Sequence, residues 1–254
     1  MEVVLGGLLK IAIHSAAVQC RWMKSLLIGC RLCAIAIFSI SPSFSQDHPF
    51  PGIYEPDHLV PLDPNPGDWH VRYMNVLGAQ LKLNAAFFAR MILKPSFDGE
   101  SCLRLHGNDE TEILKSDKFF LTCYEADQNI WYAMPENSSE KKKVIVTVAV
   151  SSAPVSKEFA KRLRTLWDQI LSRTSLPEKP STTCDGITIE FATPEKAGEA
   201  RNPMKRLSPQ LFVELGYSLI EYCKAKPESR LRQLKSVEQH ATNLENYLKA
   251  PPVR

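Results

Sequence analysis

The chain has 254 residues, 44% of them hydrophobic, with 31 Lys and Arg against 28 Asp and Glu and a formal charge of +3. That excess sits at the N-terminus: residues 1–45 hold Lys10, Arg21, Lys24 and Arg31 against Glu2, so the rest of the sequence carries 27 basic and 27 acidic residues. A neutral remainder lacks the basic footprint of a nucleic-acid binder, and the local runs Lys141-Lys142-Lys143 and Lys224 to Lys235 read as solvated surface.

Residues 1–45 are laid out as a targeting segment. Positive charge at Lys24 and Arg31 precedes the apolar run Leu32 to Ile40, Pro42 breaks the helix, and Ser43 and Ser45 supply small side chains for a signal-peptide cleavage near Ser45. The run is too short to span a bilayer, which takes roughly 20 residues. The expectation is a secreted or periplasmic protein with no stable membrane span after processing. Met23 makes the better start of such a signal, and residues 1–22 read as an upstream extension. Two competing arrangements are a lipid anchor at Cys30, within Leu27-Ile28-Gly29-Cys30, and a retained N-terminal membrane anchor; Arg31 inside the apolar stretch disfavours the second.

Of seven cysteines, Cys20, Cys30 and Cys33 fall in the targeting segment, and Cys102, Cys123, Cys184 and Cys223 remain. An even number in an exported chain predicts disulfides. The pairing expected from neighbouring elements is Cys102–Cys123 and Cys184–Cys223. No CxxC spacing occurs, so a zinc cage is not expected.

Residues 46–67, rich in proline from Pro49 to Pro66, predict an extended lead-in, either a tether or an arm laid on the domain. Residues 69–90 fit strand or helix equally well. Phe88 to Lys94 reads as a strand ended by Pro95, Asp98-Gly99 as a turn, and Cys102 to His106 as a second strand with Leu103 and Leu105 on one face. Lys118 to Glu125 and Ile130 to Met134 read as a hairpin about Asp127-Gln128-Asn129. Val144 to Val150, apolar at every other position and more, predicts a central strand covered on both faces. Ser156 caps a helix whose stripe is Phe159, Leu163, Leu166, Trp167 and Ile170. A strand follows at Ile187 to Phe191, opened by Asp185-Gly186, returning parallel through a crossover or antiparallel. Ser208-Pro209 starts a helix lined by Leu211, Leu215, Leu219 and Tyr222. After Pro227, Ser229 to Leu248 forms a last helix with the narrow stripe Leu231, Leu234, Val237, Ala241, Leu244 and Leu248.

The expected fold is therefore α+β: an antiparallel or mixed sheet of about five to six strands, packed by one mid-chain helix and two C-terminal helices. The organisation is a targeting segment at 1–45, a lead-in at 46–67, an α+β domain at 68–226, and a C-terminal helix and tail at 227–254.

No G-x-S-x-G elbow, P-loop or G-x-G-x-x-G occurs, and no cofactor is expected. Asp98, Glu100 and His106, near one turn and its outgoing strand, are the least poor acid–base candidates for an enzyme acting on an envelope polymer. Trp131 and Tyr132 are candidates for a carbohydrate or peptide platform, although neighbours on a strand point to opposite faces. No metal site is expected. The weak exception is His48, which cleavage after Ser45 would place third from a free amine, a Cu(II) or Ni(II) geometry that cyclisation of Gln46 destroys. Asn137-Ser138-Ser139 is a glycosylation sequon. The expected role is a non-enzymatic binding or interaction module of the envelope or periplasm, with the C-terminal helix available to a protein partner; the alternative is a small hydrolase of an envelope polymer using acidic residues.

Overall fold

A computed structural model describes residues 56–108, 116–134, 145–178, 186–203 and 206–250. The targeting segment, His48, Lys141-Lys142-Lys143, the sequon at Asn137 and Cys184 lie outside the described residues.

The elements run α1 (Asp68–Gln80), β1 (Ala89–Pro95), β2 (Ser101–Gly107), β3 (Phe119–Ala126), the single turn α2 (Ile130–Ala133), β4 (Val148–Val155), α3 (Lys157–Leu171), β5 (Ile187–Ala192), β6 (Ala197–Arg201), α4 (Ser208–Lys224) and α5 (Arg230–Lys249). The six strands form one sheet in the order β4-β3-β2-β1-β5-β6, with every neighbouring pair antiparallel. The fold is α+β, with the mid-chain helix and two C-terminal helices in place. The return from α3 is antiparallel: β5 lies beside β1, with Met91 opposite Phe191 and Leu93 opposite Ile189.

Strand alternation divides the core in two. Met91, Leu93, Leu103, Leu105, Leu121, Cys123, Ile189 and Phe191 point to one face, where Phe159, Leu163, Trp167, Phe212, Leu219, Val237, Ala241 and Leu244 cover them. Ser156 caps α3 by accepting from the Phe159 N–H at 3.1 Å. The stripe of α5 is buried inside this layer, with Val237, Ala241 and Leu244 fully enclosed, and only Leu231 at its start stands exposed. On the other face, Ile92 and Cys102 pack with Tyr73, Leu77, Leu81, Leu83, Ile130 and Met134.

Three expectations are corrected. Ile130 to Met134 is a helical turn rather than a hairpin strand, because Asn129 accepts from the Tyr132 N–H at 3.2 Å and starts a helix. The apolar run ending at Val150 leads into an edge strand, with Ile145 81% and Val150 59% exposed, so its alternate apolar side chains reflect β propensity and not burial on both sides. The pairing Cys102–Cys123 is excluded by the register. Cys102 sits opposite Tyr124 and Cys123 opposite Leu103, so the two side chains leave opposite faces of the sheet, and both are free thiols. Cys223 is also a free thiol.

The lead-in from residue 56 is an arm laid on the domain. Leu59 is fully buried, Val60 pairs with Glu199, and Asp57 accepts from the backbone N–H of Ser208 at 2.7 Å and the Tyr247 hydroxyl at 3.0 Å. The Asp57 carboxylate thus sits at the positive end of α4, doing from a distance what no side chain at Leu207 can do. Among the described residues, no helix is long and apolar enough to cross a membrane.

Candidate functional site

The sheet face away from α3, α4 and α5 is only partly covered by α1 and α2. Where they stop, over β1, β5 and β6, lies a cleft of about 470 Å³. Its aromatic wall comes from α1 and α2. Trp69 and Tyr73 are four residues apart and share one side of α1. Trp131 meets Trp69 edge-on at 5.2 Å between ring centroids and Tyr73 at 5.6 Å. Trp69 and Tyr132 are about half exposed, at 55% and 50%. A helical turn, unlike a strand, lets the consecutive Trp131 and Tyr132 line the same cleft, so both platform residues belong to it.

The floor is polar, because Lys94, Thr188, Glu190, Glu199 and Arg201 all point to this face. Glu190 lies directly opposite Glu199, a like-charge pair that is unfavourable by itself. Each acid has its own cation: Lys94 contacts Glu190, and Arg201 donates to Glu199 at 2.8 Å. The charges of Lys94, Glu190, Glu199 and Arg201 therefore compensate one another.

Glu100 anchors the cleft from beneath. It is fully buried, and its two oxygens accept from the Tyr73 hydroxyl and the Ile130 backbone N–H, each at 2.7 Å. One carboxylate so ties α1 and α2 to the start of β2. Burial first, and then the adjacent Glu100, hold the Tyr73 hydroxyl far above its ordinary value, so it remains a donor. Asn129 completes the frame: its amide donates to the carbonyls of Pro95 and Asp98, both at 3.1 Å, which binds the β1–β2 turn to α2. Gly99 in that turn is required by close approach, since a Cβ there would lie 2.1 Å from the Ala126 carbonyl oxygen. At the far rim Gly186 has φ of +129°, and Asn202 accepts from the Ile187 N–H at 2.6 Å.

The acid–base trio does not assemble. Asp98 is an exposed turn residue, Glu100 is a buried strut, and His106 lies six residues further along β2, roughly 20 Å away at strand rise. His106 instead bonds Thr122 at 2.9 Å and stacks on Phe120. Among the described residues, no group of three or more His, Cys, Asp or Glu side chains converges on a point.

Trp69, Tyr73, Lys94, Asn129, Glu199 and Arg201 were not singled out from the sequence. The i, i+4 spacing of Trp69 and Tyr73 is visible once 68–80 is known to be helical. Nothing in Ala197–Arg201 (AGEAR) announces a strand, so Glu199 and Arg201 gave no signal.

A second groove, between α3 and α5, is less suited to a ligand. Its Arg162 is already held by Glu245 and Thr242, and its Arg173 donates to the Leu248 carbonyl. No protein-family model, curated protein or solved structure matches the chain.

Proposed function

We propose that the protein is an exported, non-enzymatic binding module of the envelope or periplasm, and that the cleft between α1, α2 and β6 receives a glycan segment of an envelope polymer. The observation that carries this reading is the pairing of two half-exposed aromatic rings, Trp69 and Tyr132, with a charge-compensated polar floor. Aromatic faces stack on the C–H faces of sugar rings, and fixed polar groups below them select hydroxyl positions. Binding is favoured over hydrolysis because both oxygens of Glu100 accept structural hydrogen bonds. The cleft also replaces α5 as the docking element, since the α5 stripe is occupied by its own chain.

Isothermal titration of the full chain with soluble oligosaccharide fragments released from peptidoglycan tests the reading. Saturable binding that weakens at least tenfold in Trp69→Ala and Tyr132→Ala, with the sugar recovered unchanged, is expected. Absence of binding, or binding indifferent to both substitutions, overturns it. Cleavage of the fragments would overturn its non-enzymatic part.

A further inference from the structure

We propose that the protein pairs with a second copy of itself through the β4 edge of its sheet, the two strands running antiparallel about a two-fold axis at Ala149. The sheet has two edges, β4 and β6. The β6 edge is covered at its middle, where Val60 of the arm exchanges both backbone hydrogen bonds with Glu199, at 2.8 and 2.7 Å. Among the described residues, no segment lies beside β4 in this way.

Peptide groups of an antiparallel strand point alternately to its two sides. Thr147 turns its carbonyl toward β3, accepting from the Asp127 N–H at 3.0 Å. Ala149, Ser151 and Ala153 therefore face β3, and Val148, Val150, Ser152 and Pro154 face outward. The chain itself closes the second half of this outward row. Arg230 donates to the Ser152 carbonyl at 3.1 Å, Tyr222 donates to the Pro154 carbonyl at 2.7 Å, and Pro154 has no N–H. Among the described residues, nothing takes up the outward groups of Val148 and Val150, and both Ala149 and Val150 are exposed.

A second copy fits this open stretch because the stretch is complementary to itself. Proteins keep edge strands apart chiefly with charge, above all lysine. No charged residue occurs from Val144 to Val155. A two-fold axis at Ala149 sets Val148 opposite Val150 of the partner subunit, and Val150 opposite Val148 of the partner subunit. Each pair exchanges both backbone hydrogen bonds, and the valines meet on the sheet face that carries Tyr124. The arm on β6 leaves one open edge per chain, so pairing closes at two copies.

The contact is short, so association is expected at about 1–100 µM. Sedimentation equilibrium of the full chain over that range should show the mass rising from one chain toward two. Val150→Lys, at an exposed position, should keep the native circular dichroism and raise the midpoint concentration about tenfold or more. Ala149→Cys reads the register. Across the axis its two Cα atoms would lie about 4.5 Å apart, within disulfide range. Oxidised glutathione should therefore link Ala149→Cys chains into a dimer on a non-reducing gel. Ser151→Cys, two residues off the axis, should not link. A single-chain mass throughout overturns the proposal, even if the chain takes up an extended peptide from another protein. A dimer indifferent to Val150→Lys, or Ala149→Cys linking no better than Ser151→Cys, also overturns it.

Discussion

Glu100 is the residue on which the candidate site depends, because a fully buried carboxylate is tolerable only while its donors are in place. Removing the Tyr73 hydroxyl leaves one oxygen short of its partner. Tyr73→Phe is therefore expected to destabilise the protein by about 1.5–3 kcal/mol, the range for hydrogen bonds to charged groups. Urea unfolding measures this, and a midpoint equal to that of the wild type would show that the bond contributes nothing. The same hydroxyl sets an alkaline limit. Tyr73 and the Cys102 thiol, which burial pushes up to about 12, both stay protonated in the fold at pH values where the unfolded chain ionises. Their contribution is full below about pH 9 and is lost as pH rises toward 12. Stability should fall across that window, and the part of the fall above about pH 10 should be shallower in Tyr73→Phe.

Among the elements, the arm at residues 56–60 takes the second of the two forms expected of its proline-rich composition and lies on the domain. It is held by Leu59 in the core, one bridge to β6 and the Asp57 carboxylate at the start of α4. Asp57→Ala removes the acceptor at a helix N-terminus and the partner of Tyr247. A loss of about 1 kcal/mol is expected by analogy with helix caps, together with faster proteolytic cleavage in the arm. An unchanged cleavage rate would show that Leu59 and Val60 hold the arm without Asp57. Elements with strong local signals were legible in sequence: the Ser156 cap and the 3.6-residue stripe of α3, the alternation of β2, and the Pro209 start of α4. Those decided by tertiary context were not. A helix cap at Asn129 turns an aromatic, strand-like run into α2, and β6 exists because β5 and the Val60 bridge flank it, not because AGEAR favours a strand.

At the scale of the molecule, one sheet separates two tasks. The face under α3, α4 and α5 holds the large apolar core, and the other face keeps room for a polar floor beneath aromatic walls. Alternation explains why the disulfide pairing expected from neighbouring strands fails, and a helical turn in place of a strand is why Trp131 and Tyr132 line one cleft. It also explains why the cleft was half legible: the aromatics stand out in composition, but the floor comes from alternate positions of strands far apart in sequence. Export remains a proposal on the Leu32–Ile40 run. N-terminal sequencing of the native protein should return a chain starting at Gln46, and an intact Met1 or Met23 terminus would refute the processing. The most direct test of the ligand seat uses the indole N–H resonances during titration with peptidoglycan-derived oligosaccharides. Trp167, buried and donating to the Arg90 carbonyl, is an internal reference. The resonances of Trp69 and Trp131 should move with saturation while that of Trp167 stays fixed. Saturable shifts at Trp167 alone, or no shift at any indole, would contradict the assignment of the cleft.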